Sequence, residues 1–379
     1  MESIGIGMLG YGMIGRVHSL AYRDLPIFYP GRIPPLRLAA ICTARAQTAA
    51  AAAAEAGYAS WCTDWRELIA RDDVDVVNCS LPNYLHREVL LAAFAAGKHV
   101  CCEKPLALNL AEARELVAAA AQAGVMCGMV FNYRFVPAIM QARRVIQEGL
   151  LGEIFEFRAE YLHTGYEDPQ RPMSWRLRKE QSGGGALVDL GSHAIDLLRY
   201  LLGDFDSVRA HLHTFYKERP VSRGAAEYEP VTVDDVAWLQ VRLANGTPGT
   251  IEASRFTSGI LDDLRFEIHG RRGALRFSLM DANWLYWYDA TRKGEPLGGE
   301  RGWTRLETVA NYPGAVAPPA RSVVGWSRFL AENQYAFLTS RAAGKSPEPD
   351  IADGLQVHLV LDAAYRSAET GLWTQVEAA

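Results

Sequence analysis

The first third of the chain alternates short apolar runs with alanine-rich amphipathic stretches. A strand–helix–strand rhythm of this kind predicts a parallel sheet with right-handed crossovers. The predicted strands are Ile4–Leu9, Leu36–Cys42, Val74–Ser80, His99–Cys102 and Val125–Phe131. The predicted helices are Gly15–Arg23, Ala46–Gly57, Trp65–Arg71, Tyr84–Gly97 and Asn109–Gly124. We therefore expect a doubly wound α/β domain over residues 1–131.

The pattern changes after about Leu150, where apolar and polar positions begin to alternate with a period of two, as in half-buried strands. The predicted strands are Ile154–His163, Val208–Tyr216, Val236–Leu243, Thr250–Thr257, Leu264–Gly270 and Ala274–Leu279. Between two of them, Asn245-Gly246 is a hairpin turn signal. The predicted helices are Leu187–Leu202 and Gly354–Thr370. Residues 132–379 should therefore form an α+β domain on a large, mainly antiparallel open sheet.

One face of such a sheet should pack on helices and leave the other face open. Trp238, Leu239, Phe256 and Phe266 lie on its predicted strands, and large apolar side chains on an open face need a cover. We expect a second copy of the chain to supply that cover, in a homodimer or homotetramer.

Bulk properties exclude several classes of partner. The chain has 379 residues and a formal net charge of -5, so it offers no basic field for nucleic acid or an anionic membrane. No apolar run is long enough to span a bilayer, and Met1 leads into a strand-like segment rather than a signal peptide. The six cysteines show no Cys-x-x-Cys spacing. We therefore expect a cytoplasmic protein with no metal site.

A glycine-rich turn, Gly10-Tyr11-Gly12-Met13-Ile14-Gly15, follows the first strand and opens a helix. Gly10 permits the tight turn, Gly12 lets the backbone approach a pyrophosphate, and Gly15 lets helix and strand pack closely. The N–H groups of Met13 and Ile14 begin the helix and face the phosphates. A turn of this kind can also serve packing alone, but its position after a strand favours dinucleotide binding by a Rossmann domain.

The end of the second strand selects between NAD and NADP. A carboxylate there binds the ribose 2′-hydroxyl and repels a 2′-phosphate, and this chain has Thr43 and Arg45 instead. Thr43 can donate a hydrogen bond to a phosphate and Arg45 can pair with one. Alternatively, Arg45 stacks on adenine or points into solvent. The cofactor is NAD or NADP, with a slight preference for NADP.

Lys104 follows the fourth predicted strand, at the carboxyl edge where open α/β sheets bind ligands. Pro105 keeps Lys104 out of helical conformation, and a partly desolvated lysine beside a nicotinamide can help to take an alcohol proton. The alternative is a surface lysine paired with Glu103.

A second constellation lies on the predicted helix Leu187–Leu202. Asp189 and His193 are four residues apart, so they share one face of a helix, which Gly183–Gly185 approaches flexibly. A neutral imidazole is a natural base for an alcohol proton near neutral pH, and a carboxylate can orient it. The alternative is a pair that only solvates or caps the helix.

Taken together, these motifs resemble the glucose–fructose oxidoreductase / inositol dehydrogenase / MocA (Gfo/Idh/MocA) family. The resemblance runs over essentially the whole chain, and Glu-Lys-Pro with Asp-x-x-x-His is its specific part. The segments that carry it are Gly10–Gly15 with His18, Ser80–His86, Glu103–Pro105, Asn132–Arg134, Ser174–Arg176 and Gly184–His193. His18–Tyr22, Pro26 and Phe28 further resemble the levoglucosan dehydrogenase-like branch, which implies oxidation at a sugar ring carbon.

The resemblance implies a catalytic set of Lys104, Asp189 and His193. His193 is then the acid/base on the reacting hydroxyl, Lys104 bonds to the same oxygen, and Asp189 orients and tunes both. The candidate substrate contacts are Lys104, Tyr133, Arg134, Asp189 and His193, together with Tyr161 and His163, which are chosen by their position on a predicted strand. The cofactor contacts, with those already given, are Gly10, Gly12, Met13, Ile14, Gly15, Thr43, Arg45, Ser80, Pro82, Asn83, His86, Glu103, Lys104, Asn132, Trp175 and Arg176.

The sequence thus predicts an NAD(P)-dependent oxidoreductase that moves a hydride between nicotinamide and a secondary alcohol of a sugar, anhydrosugar or inositol-like polyol. Two alternatives remain. A glycosidase that retains NAD and cleaves by transient oxidation would release an aglycone without net cofactor reduction. A regulator that only senses the dinucleotide would have no use for an aligned proton-transfer set.

Overall fold

The computed structural model describes residues 3–308, 312–319 and 322–378. Its first sheet has six parallel strands in the order β3-β2-β1-β4-β5-β6, the arrangement of a dinucleotide-binding Rossmann domain. The strands are β1 (Ile4–Leu9), β2 (Leu36–Cys42), β3 (Ser60–Cys62), β4 (Val76–Cys79), β5 (His99–Cys102) and β6 (Cys127–Met129). The predicted α/β architecture is confirmed. The pattern of apolar residues missed β3, because a three-residue edge strand has no measurable period.

Five helices connect these strands. They are α1 (Met13–Phe28), α2 (Ala46–Ala56), α3 (Trp65–Ile69), α4 (His86–Ala95) and α5 (Leu110–Ala123). Alanine at the packed positions of α2 and α5 lets these helices lie close to their neighbours, and Asn109 caps α5 by accepting from the N–H of Glu112 at 3.0 Å.

The second sheet has nine strands in the order β16-β15-β14-β13-β7-β12-β11-β8-β17. All its pairs are antiparallel except β7 with β12, so the predicted open, mainly antiparallel sheet is confirmed. The strands are β7 (Ile154–His163), β8 (Phe205–His213), β11 (Val236–Leu243), β12 (Pro248–Ser254), β13 (Asp262–Gly270), β14 (Gly273–Ser278), β15 (Trp284–Asp289), β16 (Trp303–Glu307) and β17 (Thr374–Gln375). A separate hairpin pairs β9 (Glu218–Pro220) with β10 (Tyr228–Pro230).

Four further helices of several turns are described: α6 (Pro137–Gln147), α8 (Ser192–Leu202), α9 (Trp326–Ala342) and α10 (Ile351–Thr370). A single helical turn, α7 (Lys179–Ser182), lies between α6 and α8 in the chain. Among the described residues, no helix is both long and apolar enough to cross a bilayer.

The four apolar side chains that were expected on the open face of the large sheet do not all lie there. Leu239 and Phe266 are buried on the inner face, which is the face toward α8, whereas Trp238 is 41% exposed on the outer face. Phe256 lies beyond the end of β12, against Phe215. The prediction that all four lie on an open face is therefore wrong, because alternation along a strand assigns neighbours to opposite faces. The homo-oligomer itself stays a prediction.

The chain forms two compact units: Met1–Phe135 with Asn311–Leu355, and Val136–Ala310 with Gln356–Ala379. A segment from late in the sequence therefore returns to the first unit. Within that unit, Tyr29 Oη donates to Glu332 Oε2 at 2.6 Å and Asn333 Nδ2 to the carbonyl of Met129 at 3.1 Å. The boundary predicted at residues 131 and 132 does not include this segment, because nothing in its local pattern marks its long-range contacts.

Candidate active site

The glycine-rich turn of the first unit contains two tightly packed glycines and one open one. Gly10 has φ +89°, and a Cβ there would lie 2.6 Å from the carbonyl oxygen of Ser80. A Cβ on Gly15 would lie 2.3 Å from the carbonyl oxygen of Gly10, whereas one on Gly12 would have no atom within 4 Å. Gly10 and Gly15 are therefore required by packing, and Gly12 leaves a space that a dinucleotide phosphate can occupy.

The N-terminus of α1 opens onto this space. No side chain caps the helix at Gly12, and its first turn contains no acidic residue. Met13 is 65% exposed, and Ile14 is partly exposed beside it. Unpaired N–H groups and the helix dipole together favour a bound anion at this position.

Polar groups line the carboxyl edge of the sheet beyond β4, β5 and β6. Ser80 accepts from Asn78 Nδ2 at 2.9 Å, while Pro82 and Asn83 begin the turn that leads to α4. Asn132 is 4% exposed, and its Nδ2 has no hydrogen-bond partner in the part of the chain that the structure describes. A buried donor without a partner is costly, so this amide and the open space at Gly12 both fit a bound dinucleotide.

Glu103 is held by a buried histidine. His18 is fully buried, its Nε2 lies 2.9 Å from Glu103 Oε1, and its Nδ1 lies 2.8 Å from both Asn78 Oδ1 and Gln334 Nε2. The alternative in which Glu103 only pairs with Lys104 at the surface does not account for these contacts. The partly exposed Lys104 follows directly, and its peptide bond to Pro105 is cis. Asn78 and Gln334 were missed because they support Glu103 across 25 and 231 residues of sequence.

His86 lies inside the unit rather than on its ligand edge. Its Nδ1 lies 3.0 Å from the carbonyl oxygen of Pro105 and its Nε2 3.0 Å from that of Leu81, so each ring nitrogen faces a backbone carbonyl and the nitrogen that carries the proton donates to it. Potential ligand atoms of Cys79, His86 and Cys102 lie within 4.8 Å of one another, a grouping that Cys spacing did not reveal. Since the imidazole is enclosed between these two carbonyl groups, we assign His86 a structural role in holding the backbone at Leu81 and Pro105.

Thr43 and Arg45 lie between β2 and α2, as the cofactor-selecting position requires. Thr43 Oγ1 lies 2.6 Å from Thr48 Oγ1, and Arg45 is exposed at the N-cap of α2. The structure places no carboxylate in the short segment from Cys42 to Ala46.

The Asp/His helix of the second unit does not begin as a regular α-helix. Leu187–Gly191 forms a π-helical turn that contains Asp189, and α8 follows from Ser192. His193 is 8% exposed in the first turn of α8, and the Asp189 side chain is 30% exposed. Turns of this type recur at functional sites, because the wider turn redirects a side chain.

The start of this helix is fixed by Asp234. Its carboxylate accepts from the N–H groups of Gly185 at 2.9 Å and Leu187 at 2.7 Å, and from Tyr365 Oη at 2.8 Å. A Cβ on Gly185 would lie 1.8 Å from the carbonyl oxygen of Asp234. The expectation of flexibility is therefore wrong for Gly184 and Gly185, because these two glycines permit close packing.

Asp189 is paired with a buried arginine that the spacing arguments missed. Arg255 Nη2 donates to Asp189 Oδ2 at 2.9 Å, and the Arg255 side chain is 1% exposed. Burial alone would lower the pKa of Arg255. Electrostatic interactions with Asp189, Tyr166 and Asp234 raise it by more, so the pKa lies above the usual value for an arginine. The only sequence signal for this pair was an arginine directly after the buried end of a strand.

The remaining candidates divide between the two units. On the inner face of β7, Tyr161 stacks edge-on against His193 with ring centroids 5.8 Å apart, and His163 follows two residues later on the same face. In a short turn of the second unit, the guanidinium of Arg176 lies 4.4 Å from the ring centroid of Trp175. The other two, Tyr133 and Arg134, are buried in the first unit.

Arg134 has an internal partner in that unit. Its Nη1 lies 3.1 Å from Asp353 Oδ2, and Arg134 is only 3% exposed. This ion pair joins the start of α10 to the segment after β6, so it gives Arg134 a structural role apart from any ligand.

Comparisons with known proteins agree with this architecture. Residues 4–131 match the oxidoreductase family with an NAD-binding Rossmann fold, and residues 139–276 match the GFO/IDH/MocA C-terminal domain. Levoglucosan dehydrogenase from Pseudarthrobacter phenanthrenivorans is 36% identical over 391 residues, 99% of each chain. The 1,5-anhydro-D-fructose reductase of Ensifer adhaerens is 36% identical over 61% of this chain and 65% of its own. A solved levoglucosan dehydrogenase with NADH and levoglucosan has a TM-score of 0.93 at 35% identity, covering 100% of both chains.

Proposed function

Because this chain belongs to the Gfo/Idh/MocA family, we propose that it is a dehydrogenase of a secondary alcohol in a sugar, anhydrosugar or inositol-like polyol. It is an enzyme of the oxidoreductase class that acts on CH–OH groups, with an NAD-binding Rossmann domain. The full-length similarity to levoglucosan dehydrogenase carries the proposal and favours an anhydrosugar within this substrate class. The predicted cytoplasmic location and homo-oligomeric state stay predictions.

The dinucleotide would be held by the open glycine turn, the N-terminus of α1 and the amide of Asn132. Ser80, Asn83 and Glu103, at the same edge, are proposed to contact it as well. When bound, the nicotinamide ring supplies the hydride chemistry. Everything else that the reaction requires is orientation of the alcohol and control of its proton.

We assign that proton control to three residues. A ring nitrogen of His193 takes the hydroxyl proton when the alcohol is oxidised and returns it in reduction. The Asp189 carboxylate favours the imidazolium that forms, and the Lys104 ammonium donates a hydrogen bond to the substrate oxygen. Tyr161 and His163 are the best-supported sugar contacts, because Tyr161 lies against His193 on the inner face of the sheet. Tyr133 is proposed as a further sugar contact, whereas Arg134 already pairs with Asp353 inside the first unit.

For the cofactor, we propose that the enzyme accepts NADP as well as NAD. Arg45 is exposed next to Thr43, and no carboxylate stands between them to repel a 2′-phosphate. Levoglucosan dehydrogenase has been solved with NADH, which supports NAD binding at the same fold.

The decisive assay records reduced nicotinamide by absorbance, with NAD and separately with NADP, across inositols, aldoses and anhydrosugars. Turnover of one substrate that falls at least about a hundredfold in Lys104→Ala and His193→Ala, with cofactor affinity retained, supports the proposal. Binding of dinucleotide with no turnover of any substrate contradicts it. Release of an aglycone from a glycoside without net cofactor reduction would identify a redox glycosidase instead.

A further inference from the structure

Arg255 is a deeply buried charged side chain at the Asp189 site. It is 1% exposed, it lies just beyond the end of β12, and its Nη2 contacts Asp189 Oδ2 at 2.9 Å. A cation removed from water is tolerated only where a partner compensates for the lost hydration. Since the Asp189 side chain remains 30% exposed, the pair has one end in the interior and one end that is partly exposed.

The surroundings hold Arg255 in one place. The Tyr166 ring lies over its guanidinium at 4.7 Å, and Arg219 anchors the Tyr166 segment by donating to the carbonyl of Asp168 at 2.7 Å and to that of Tyr166. The Arg255 N–H donates to the carbonyl of Asp235 at 3.0 Å. The backbone of Arg255 and the Tyr166 ring thus restrict the position of the side chain, while Nε and Nη1 have no hydrogen-bond partner in the described part of the chain, which leaves Nη2 to orient the Asp189 carboxylate.

We propose that Arg255 is a positioning residue that keeps the Asp189 carboxylate ionised and fixed in direction, and thereby extends activity to lower pH. The inference rests on the proposed function, in which Asp189 serves His193. Arg255 places a buried cation behind the acid/base pair, which neither the spacing of Asp189 and His193 nor the family resemblance had indicated.

The sign of the expected pH effect follows from charge alone. A neighbouring cation favours a carboxylate over its neutral form and favours a neutral imidazole over an imidazolium. Removal of Arg255 therefore makes both Asp189 and His193 easier to protonate. The titratable and charged groups around the pair are Tyr161, Tyr166, Arg219, Asp234, Asp235 and Tyr365, and the substitution leaves all of them in place.

The test compares the pH dependence of kcat/KM in the wild type, Arg255→Met and Arg255→Lys. We expect the acid limb of Arg255→Met to move upward by roughly one to three pH units, and that of Arg255→Lys to move less, because the charge is retained. The matched control is Arg265→Met. Arg265 pairs with Glu160 at 2.6 Å on the outer face of the sheet, so its removal should leave the acid limb unchanged.

A purely structural role for Arg255 predicts a different result, in which activity falls equally at every pH and the acid limb does not move. That result overturns the proposal. Arg255→Gln, which is neutral but still donates hydrogen bonds, is used if the Met variant does not fold, and the same upward movement is expected.

A second readout does not need turnover. In protein labelled with ¹³C-histidine, the ring resonance of His193, assigned with His193→Gln, should titrate at higher pH in Arg255→Met than in the wild type. An unchanged titration overturns the role of Arg255 even if the enzyme has no identified substrate. Absence of wild-type turnover with a shifted titration overturns only the proposed function.

Discussion

The two units hold their functional groups by different means. In the first unit the proposed phosphate site is formed by backbone, namely a glycine turn and a helix N-terminus, although Glu103 nearby is held by the side chain of His18. In the second unit the Asp/His helix depends on buried side-chain charge, with Asp234 at its start and Arg255 behind Asp189. Backbone devices bind any dinucleotide in the same way, whereas side-chain charges can be tuned to one reaction. The two parts of the enzyme therefore tolerate change differently.

The largest expected effect is a loss of catalytic rate without a loss of cofactor binding. Asp189→Asn should lower kcat by about a hundredfold to ten-thousandfold, because the imidazolium of His193 loses its counter-charge, while the dissociation constant for NADH stays within about twofold. Stopped-flow turnover and fluorescence titration measure the two quantities. A parallel loss of NADH binding would show that the two regions are not functionally separable.

The next effect compares one glycine from each unit. Gly185→Ala should lower the free energy of unfolding by about 3 kcal/mol, because its Cβ meets the Asp234 backbone at 1.8 Å. Gly12→Ala should leave stability within about 0.5 kcal/mol and weaken NADH binding about tenfold, since its Cβ enters the open space. Urea unfolding and cofactor titration distinguish them. Equal stability losses in both variants would contradict the contrast.

A smaller effect concerns the cap of the Asp/His helix. Asp234→Asn keeps the shape but replaces one acceptor oxygen by a donor that faces N–H groups, so we expect a loss of about 2 kcal/mol in unfolding free energy. Tyr365→Phe, which removes a single donor to the same carboxylate, is the matched control and should cost about 1 kcal/mol. Thermal unfolding measures both, and a reversed order would refute Asp234 as the main anchor.

The smallest effect is on cofactor choice. Arg45→Ala should weaken NADPH binding about tenfold by removing one charge-assisted contact, and should change NADH binding by less than about twofold. Isothermal titration calorimetry with both cofactors measures the ratio. If both affinities fall together, Arg45 contacts the adenine instead and the assignment to the 2′-phosphate is wrong.

Local patterns predicted those parts of the molecule that local physics determines. The Rossmann sheet follows from apolar runs and the glycine turn, and β7 and β11 have the bounds that alternation predicted. The spacing of Asp189 and His193 placed both residues on one helical segment, although its first turn is π-helical. These features extend over only a few residues, so their causes lie next to them in sequence.

The contacts of the site that local patterns missed are long-range. Arg255 is 66 residues from Asp189, Asp234 is 49 from Gly185, and Gln334 is 316 from His18. No periodicity relates such residues, because their proximity depends on how the whole unit packs. The same reason explains why the segment after Asn311 was not assigned to the first unit. The misplacement of Leu239 and Phe266 has a local cause, because neighbours along a strand lie on opposite faces.

The returning segment also affects the order in which the chain can fold during synthesis. Domains usually fold as they emerge, N-terminal first, but the first unit lacks Glu332, Asn333 and Gln334 until the ribosome has passed them. Most of the second unit has by then been made. The half that binds the dinucleotide therefore begins first and finishes late. A nascent chain paused near residue 300 should have a cleavable first unit, whereas the released full-length chain should resist protease.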